Sequence, residues 1–549
     1  MSAKPWGWVV LALAVPLSWV FYTGTFCSDD LRYLIGMQSI AEHVPLHVDD
    51  AAQRRLFFML PGALVWAITR SVGAAIGAYG LFYLALVALA GWLGQLASDR
   101  RGGVVAAVLT ASAALLLENM GTLTPDVLCG ALALGSLATC SLWLRELDAP
   151  HPSLLAERWS LATGVLAGLA IITKESALVL EAVPLGLFLV HWFAGGLRLS
   201  RFWPGASALG GLVLVFALEA VLFRLIAGEW HSSLRSASAT PENFRLYLAE
   251  QGRDPWTRLR YLSAILDPMS ARLFVAGIAA FPLTWLVMRK QADRRFPLKV
   301  TALWFAFALL PLLYFTIGST KLSEYLPPVI QTRYYIPFIA PCAALIGVFV
   351  ARTADRLPGN RRAQAAIMGV LVSLAAAQSI SFSFPGRGTG YSALAKESFL
   401  AASRAAAVRF PRLPLVDVPS GWTHDLFLCR RMLSGADITS TPPLTPFARQ
   451  YPYAFTATPP FVLIGHGDFL AANADDPFVA DFIRRRDAEG WNVNLAGIYL
   501  PSITSSWADW WLPRERAVAR ADNLVTDPSS VTGVWLLRET RLYEVTPRP

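Results

Sequence analysis

Directly after its first long apolar run, the sequence reads Ser28-Asp29-Asp30-Leu31-Arg32-Tyr33. Two adjacent acids at a helix end, opening a stretch with amphipathic spacing (Leu31, Ile35, Met37, Ile40), suit a general base aimed at an acceptor hydroxyl. An acidic pair also caps helices, so alone it is a weak signal. Further charges stand at the ends of later apolar runs: Glu118, Asp126, Lys174, Glu175, Arg224, Lys321, Glu324 and Arg333. Ionisable groups are expensive in lipid. Gathered at one face, carboxylates offer base chemistry and cations hold an anion such as phosphate through charge-assisted bonds. Each residue taken singly also reads as a helix end in water; the joint placement makes the case for a site.

The elements that must position these residues follow from composition. The chain has 549 residues, 55% hydrophobic and 15% charged. Soluble chains are typically about 45–50% apolar and about 25% charged, so much of this one is solvated by lipid. Apolar runs at about 6–26, 73–97, 102–118, 126–144, 159–173, 175–195, 204–227, 269–288, 300–318, 333–351 and 364–382 predict an α-helical polytopic membrane protein of about eleven spans. With a cytoplasmic start, the inside segments carry Arg100, Arg101, Arg145, Arg198, Arg289, Lys290, Arg352 and Arg361, whereas the short outside turns carry only Lys174. That is the positive-inside pattern. It accounts for most of the net charge of +9 and leaves no basic surface for nucleic acid. The first run ends Thr25-Phe26-Cys27, without the small residues of a cleavage site, and reads as a membrane helix rather than a signal peptide. Cys27, Cys129, Cys140, Cys342 and Cys429 are scattered and exclude a disulfide scaffold.

Residues 1–382 therefore read as a membrane domain with long outer loops at 27–72 and 228–268. The half-span Leu56–Ile68, broken by Pro61-Gly62, suits a helix lying along the interface. Residues 383–549 change to ordinary polarity. Strand-like runs (Leu413–Val418, Phe461–Ile464, Val534–Leu537, Leu542–Val545) alternate with helical stretches (Leu394–Val408, Pro477–Ala488) and predict a C-terminal α/β domain outside the membrane.

The chain resembles the GT-C membrane glycosyltransferases, in particular the branch with the protein O-mannosyltransferases and the lipid A aminoarabinose transferase. Asp29-Asp30-x-x-Tyr33 matches the acidic motif after the first helix, and Thr124-Pro125-Asp126-Val127-Leu128 matches the opening of the fourth. Gly168-Leu169-Ala170-Ile171-Ile172-Thr173-Lys174 matches the close of the fifth, although the Gly-Pro that usually follows is Glu175-Ser176. Arg333-Tyr334-Tyr335-Ile336-Pro337 matches the opening of a late helix. Arg54-Arg55-Leu56-Phe57-Phe58 keeps the base and aromatics of another motif without its prolines. The match covers about residues 1–382.

The resemblance implies a polyprenyl-phosphate sugar donor, a lipid, glycan or protein acceptor, inversion, and a site on the outer face of a bacterial cytoplasmic membrane. On that reading Asp29, Asp30 and Asp126 are catalytic, Arg333, Lys174, Arg54 and Arg55 hold the donor phosphate, and Tyr33 and Glu175 complete the site. Asp29 is the base, or an orienter if the acceptor is itself a phosphate. No cofactor is implied, although some related branches use a divalent cation; His43-Val44-Pro45-Leu46-His47 has ligand types, but Pro45 breaks the helix that would align them. Ser506-Trp507-Ala508-Asp509-Trp510-Trp511 suits sugar stacking, headgroup seating or simple packing. Gly465-His466-Gly467-Asp468 reads as a turn. A transporter or flippase, and a polymerase or ligase using a lipid-diphosphate donor, are the competing readings. The absence of an internal repeat counts against transport.

Overall fold

The computed structural model describes residues 5–21, 29–44, 46, 54–120, 123–147, 154–194, 199–232, 252, 254–266, 268–289, 295–319, 326–356 and 361–383, parts of 401–417, and 460–466, 477–499 and 540–548. The chain divides into two compact units: residues 1–22 with 39–382, and residues 23–38 with 383–549.

The first unit is helical because its sequence offers long Leu-, Ala- and Val-rich runs, and an α-helix satisfies its own backbone where no water is present. Every one of the eleven apolar runs carries a helix. Eight helices are long and apolar enough to cross a membrane, and Arg100–Ala111 with Ala114–Met120 makes a ninth span if the two are counted together. The expected eleven therefore becomes eight or nine among the described residues. The outermost runs fall short: Phe21 leaves the helix after Val20, and the apolar part of Arg361–Phe382 is confined to Ala366–Ser381. The half-span is a helix, Leu56–Thr69, of 14 residues. At about 1.5 Å per residue it is too short to cross a core of about 30 Å.

Helices Pro125–Leu147 and Ile336–Ala354 form the centre of this unit and are its most enclosed spans. Pro125–Leu147 packs against Leu154–Thr173 and Gly80–Ala97; Ile336–Ala354 packs against Pro268–Met288, Arg100–Ala111 and Gly80–Ala97. Close approach depends on small residues, as is usual between helices in lipid. A methyl group on Gly94 would lie 2.6 Å from the carbonyl oxygen of Gly102, and one on Gly347 would meet that same oxygen. Between Arg100–Ala111 and Ala114–Met120 the chain bends by 58°. The backbone donors past the bend are met by hydroxyls from other helices: Ser379 Oγ accepts from Ala114 N at 3.1 Å and Ser270 Oγ from Leu115 N at 3.4 Å.

In the second unit a four-stranded sheet has the order β1-β2-β4-β3: Leu415–Asp417, Phe461–His466, Thr540–Pro547 and Trp491–Tyr499. β1 and β2 are parallel and the other pairs antiparallel. Phe461, Leu463, Tyr543 and Val545 on one sheet face meet Val479 and Phe482 of helix Pro477–Ala488. The Arg486 guanidinium lies 4.0 Å over the Trp491 ring. Three of the expected strands and the helix at 477–488 are present. Strand β3 was not read from the sequence, because Asn492, Asn494 and Gly497 dilute its β-propensity. Val534–Leu537, most of Leu394–Val408, Gly467-Asp468 and the Ser506–Trp511 tryptophans lie outside the described residues.

Candidate active site

In the first unit, helix ends bring together charges far apart in sequence. Pro125 and Asp126 open Pro125–Leu147, where proline fits the first helical position and an acid complements the positive end of the helix dipole. Lys174 sits in the short link between Leu154–Thr173 and Ala177–Ala194. Its amide donates to Ala170 O at 3.0 Å, while its carbonyl accepts from Ala177 N at 2.9 Å. Arg333 lies in a 3-10 turn, Thr332–Tyr335, immediately before Ile336–Ala354. Arg55 immediately precedes Leu56–Thr69.

The centre of the cluster is a buried ion pair in which Lys174 Nζ donates to Asp126 Oδ1. Both side chains are almost wholly out of water, at 5% and 2% exposure. The face of Tyr334 lies 3.9 Å from Lys174 Nζ, adding a cation–π contact. Arg333 Nε is 4.0 Å from Asp126 Oδ2 and donates to Gln331 Oε1 at 3.0 Å. Asp126 Oδ2 has no hydrogen bond among the described residues. Alongside, Arg55 donates to Glu175 Oε2 at 3.3 Å. Arg333 and Arg55 keep part of their side chains exposed, at 30% and 21%. Lys174 lies outside the spans, and burial pushes its ammonium down to about 8, with Arg333 and Arg55 acting the same way and Asp126 opposing them.

Among the described residues, the cations Lys174, Arg333 and Arg55 stand beside the carboxylates of Asp126 and Glu175. Of these cations, Arg333 and Arg55 are partly exposed and Lys174 is buried. Among the described residues no three His, Cys, Asp or Glu side chains gather as a metal would require.

Of the residues singled out in the sequence, Asp126, Lys174, Arg333, Arg55 and Glu175 come together. Arg54 is half-buried beside Arg55 in sequence. Asp29 and Asp30 open helix Asp29–Ala41, and their side chains lie outside the described residues; Tyr33 in the same helix is buried. Lys321, Glu324 and His47 also lie outside the described residues. Sequence reading missed the role of Gln331 and of the Tyr334 ring. Tyr334 was inside a recognised motif, but only the fold shows that its face meets Lys174. Within the apolar helix Ala177–Ala194, Glu181 is buried and accepts from Ser136 Oγ at 2.6 Å. As the fifth residue of Ala177–Ala194 it lies about 6–8 Å into that helix, short of a bilayer midplane at about 15 Å.

No protein-family model matches the chain, and no curated protein does. Solved structures do. ArnT from Cupriavidus metallidurans in the apo state matches with a TM-score of 0.52 at 16% identity, over 90% of this chain and 97% of that one. The same protein bound to undecaprenyl phosphate gives 0.41 at 19% identity, over 74% and 73%. The Archaeoglobus fulgidus oligosaccharyltransferase in complex with Zn and sulfate gives 0.46 at 16%, over 68% and 53%, so this chain spans about half the length of that protein. The likeness to apo ArnT extends over nearly the whole of both chains and shows that this chain has a GT-C-like fold.

Proposed function

We propose that the chain is an inverting glycosyltransferase that moves a sugar from a polyprenyl-phosphate donor to an envelope acceptor at the outer face of a bacterial cytoplasmic membrane. The observation that carries this reading is the cationic cluster at the ends of several spans, where the buried Asp126–Lys174 pair sets Arg333 and Arg55 on a partly exposed face. A lipid-linked phosphate brings its anion to that depth while its tail stays in the bilayer. ArnT, whose fold this chain shares, binds undecaprenyl phosphate.

On this reading the acceptor hydroxyl attacks the anomeric carbon of the donor sugar. A new C–O bond forms as the bond to the donor phosphate oxygen breaks, with inversion. Asp29 takes the hydroxyl proton, Asp30 supports it, and Asp126 holds Lys174 in place. The departing polyprenyl phosphate carries away the bonding pair, and its charge is met by Arg333, Arg55 and Arg54, with Lys174 contributing from behind. Preorganised cations at developing charge are typically the largest catalytic contribution. If the acceptor is a phosphate, Asp29 orients it instead of taking a proton.

The test is transfer in proteoliposomes loaded with undecaprenyl-phosphate sugars and envelope acceptors. Asp29→Asn keeps the shape and removes the base, so turnover is expected to fall about 10²–10⁴-fold with the fold intact. Wild-type turnover in Asp29→Asn would remove Asp29 from the mechanism. Failure of the unmodified protein with every polyprenyl-monophosphate sugar, alongside activity with a lipid-diphosphate donor, would replace the reading with that of a polymerase or ligase.

A further inference from the structure

Helix Pro255–Ile265 closes the long loop at 228–268 and is N-capped by Asp254, whose carboxylate accepts from Thr257 N at 2.9 Å. Its surface is mostly polar or exposed, with Trp256 75% exposed. Among its described side chains only Arg258 is buried, and it is wholly so. Burying a guanidinium is costly unless its donors are used. Arg258 Nε donates to Thr316 O at 2.6 Å, and Nη2 donates to Phe315 O at 3.4 Å and to Pro328 O. Thr316 and Phe315 belong to the last turn of Arg295–Ile317, where carbonyls lack helical partners and a cation suits the dipole. Pro328 belongs to Leu326-Pro327-Pro328-Val329-Ile330, a stretch with two prolines that fix their own φ and donate no hydrogen bond.

That stretch leads, five residues after Pro328, to Arg333. It is tied at two further points. Leu326 N donates to Ser319 Oγ at 3.0 Å, and the Thr316 and Tyr335 hydroxyls lie 3.4 Å apart. The central tie is the guanidinium, which spans two backbone segments at once.

We infer that Arg258 is a positioning residue that fixes the Leu326–Tyr335 segment, and through it Arg333 and Tyr334, so that the end of the 228–268 loop is linked to the anion-binding face. Its consequence for donor affinity rests on the function proposed above; its structural half does not. Arg258→Lys keeps the charge but loses the planar fork that reaches both segments. Two measurements on the full-length protein separate the cases. In the ligand-free protein, amide hydrogen exchange over 332–335 is expected to rise at least about tenfold in Arg258→Lys, while the middle of Arg295–Ile317 stays protected. With undecaprenyl phosphate as the probe, Kd is expected to rise about tenfold in Arg258→Lys, and this effect is expected to shrink below about twofold in an Arg333→Ala background.

Unchanged exchange at 332–335 overturns the positioning role whatever the probe does. Exchange that rises with an unchanged Kd, or effects of Arg258→Lys and Arg333→Ala that simply multiply, overturns the link to anion binding. If the unmodified protein does not bind the probe although exchange behaves as expected, the proposed donor is wrong and the positioning role stands.

Discussion

At the scale of single residues, the Asp126–Lys174 pair decides most. Each ion has left water, and its partner offsets that cost. Removing one partner from such a pair typically costs about 3–5 kcal/mol, while replacing both by apolar groups is often neutral. Lys174→Met should therefore lower the unfolding temperature in detergent, and Lys174→Met with Asp126→Leu should recover most of the loss while leaving donor binding defective. A calorimetric double-mutant cycle measures this. The lysine also makes binding depend on pH. Lys174, lowered to about 8 by burial, is charged below that pH and neutral above it. A phosphate favours the charged form, so affinity for undecaprenyl phosphate should fall as pH rises from 7 through 8 to 9.5, and Lys174→Met should flatten that slope. These residues were legible in the sequence because a charge beside an apolar run is expensive. The Arg55–Glu175 pair was not legible as a pair, because its members lie 120 residues apart and are common types in loops. Arg258 was less visible still: it sits in a polar loop of ordinary composition, and only the fold shows that it is buried.

At the scale of elements, the site depends on how deeply the helices approach one another. The 3-10 turn carrying Arg333 runs directly into Ile336–Ala354, and that helix contacts Arg100–Ala111 where Gly347 faces Gly102. Gly347→Ala should push the two backbones apart. Overpacking of this kind typically costs about 1–3 kcal/mol, so the unfolding temperature should drop, and donor affinity should weaken because Arg333 moves with the helix. Gly369→Ala, with open space around the added methyl, serves as the control and should leave both unchanged. The helical runs themselves were readable from hydropathy. The bend between Ala111 and Ala114 was not, since no proline marks it and its backbone donors are met by serines distant in sequence.

At the scale of the whole molecule, the number of spans sets the side of the membrane on which the tail is expected. With a cytoplasmic start, the eleven spans expected from the sequence are expected to put the tail and the cationic cluster outside, whereas nine spans alone would keep the tail outside but turn the cluster inward, and eight would put the tail inside. Val408 is 83% exposed and offers a labelling position. In a Cys27→Ser, Cys429→Ser background, where Cys129, Cys140 and Cys342 are buried, Val408→Cys should react with a membrane-impermeant maleimide in intact cells. Protection until the cells are opened would place the tail inside and reverse the sidedness of the proposed chemistry.

The serines at the 58° bend set a constraint on biogenesis. Ser270 is synthesised 155 residues after Leu115, and Ser379 265 residues after Ala114. At about 5–20 residues per second, the later wait is on the order of half a minute. Until Ser270 is made the nascent bend has neither of its hydroxyl acceptors, and until Ser379 is made it has only one. Unpaired amides in hydrocarbon are costly, so the early segment must remain beside the insertion machinery, hold a temporary acceptor or enter the bilayer unbent. A chain stopped before residue 379 should therefore be recognised as unfinished by membrane quality control, although the residues of the cationic cluster have already been made.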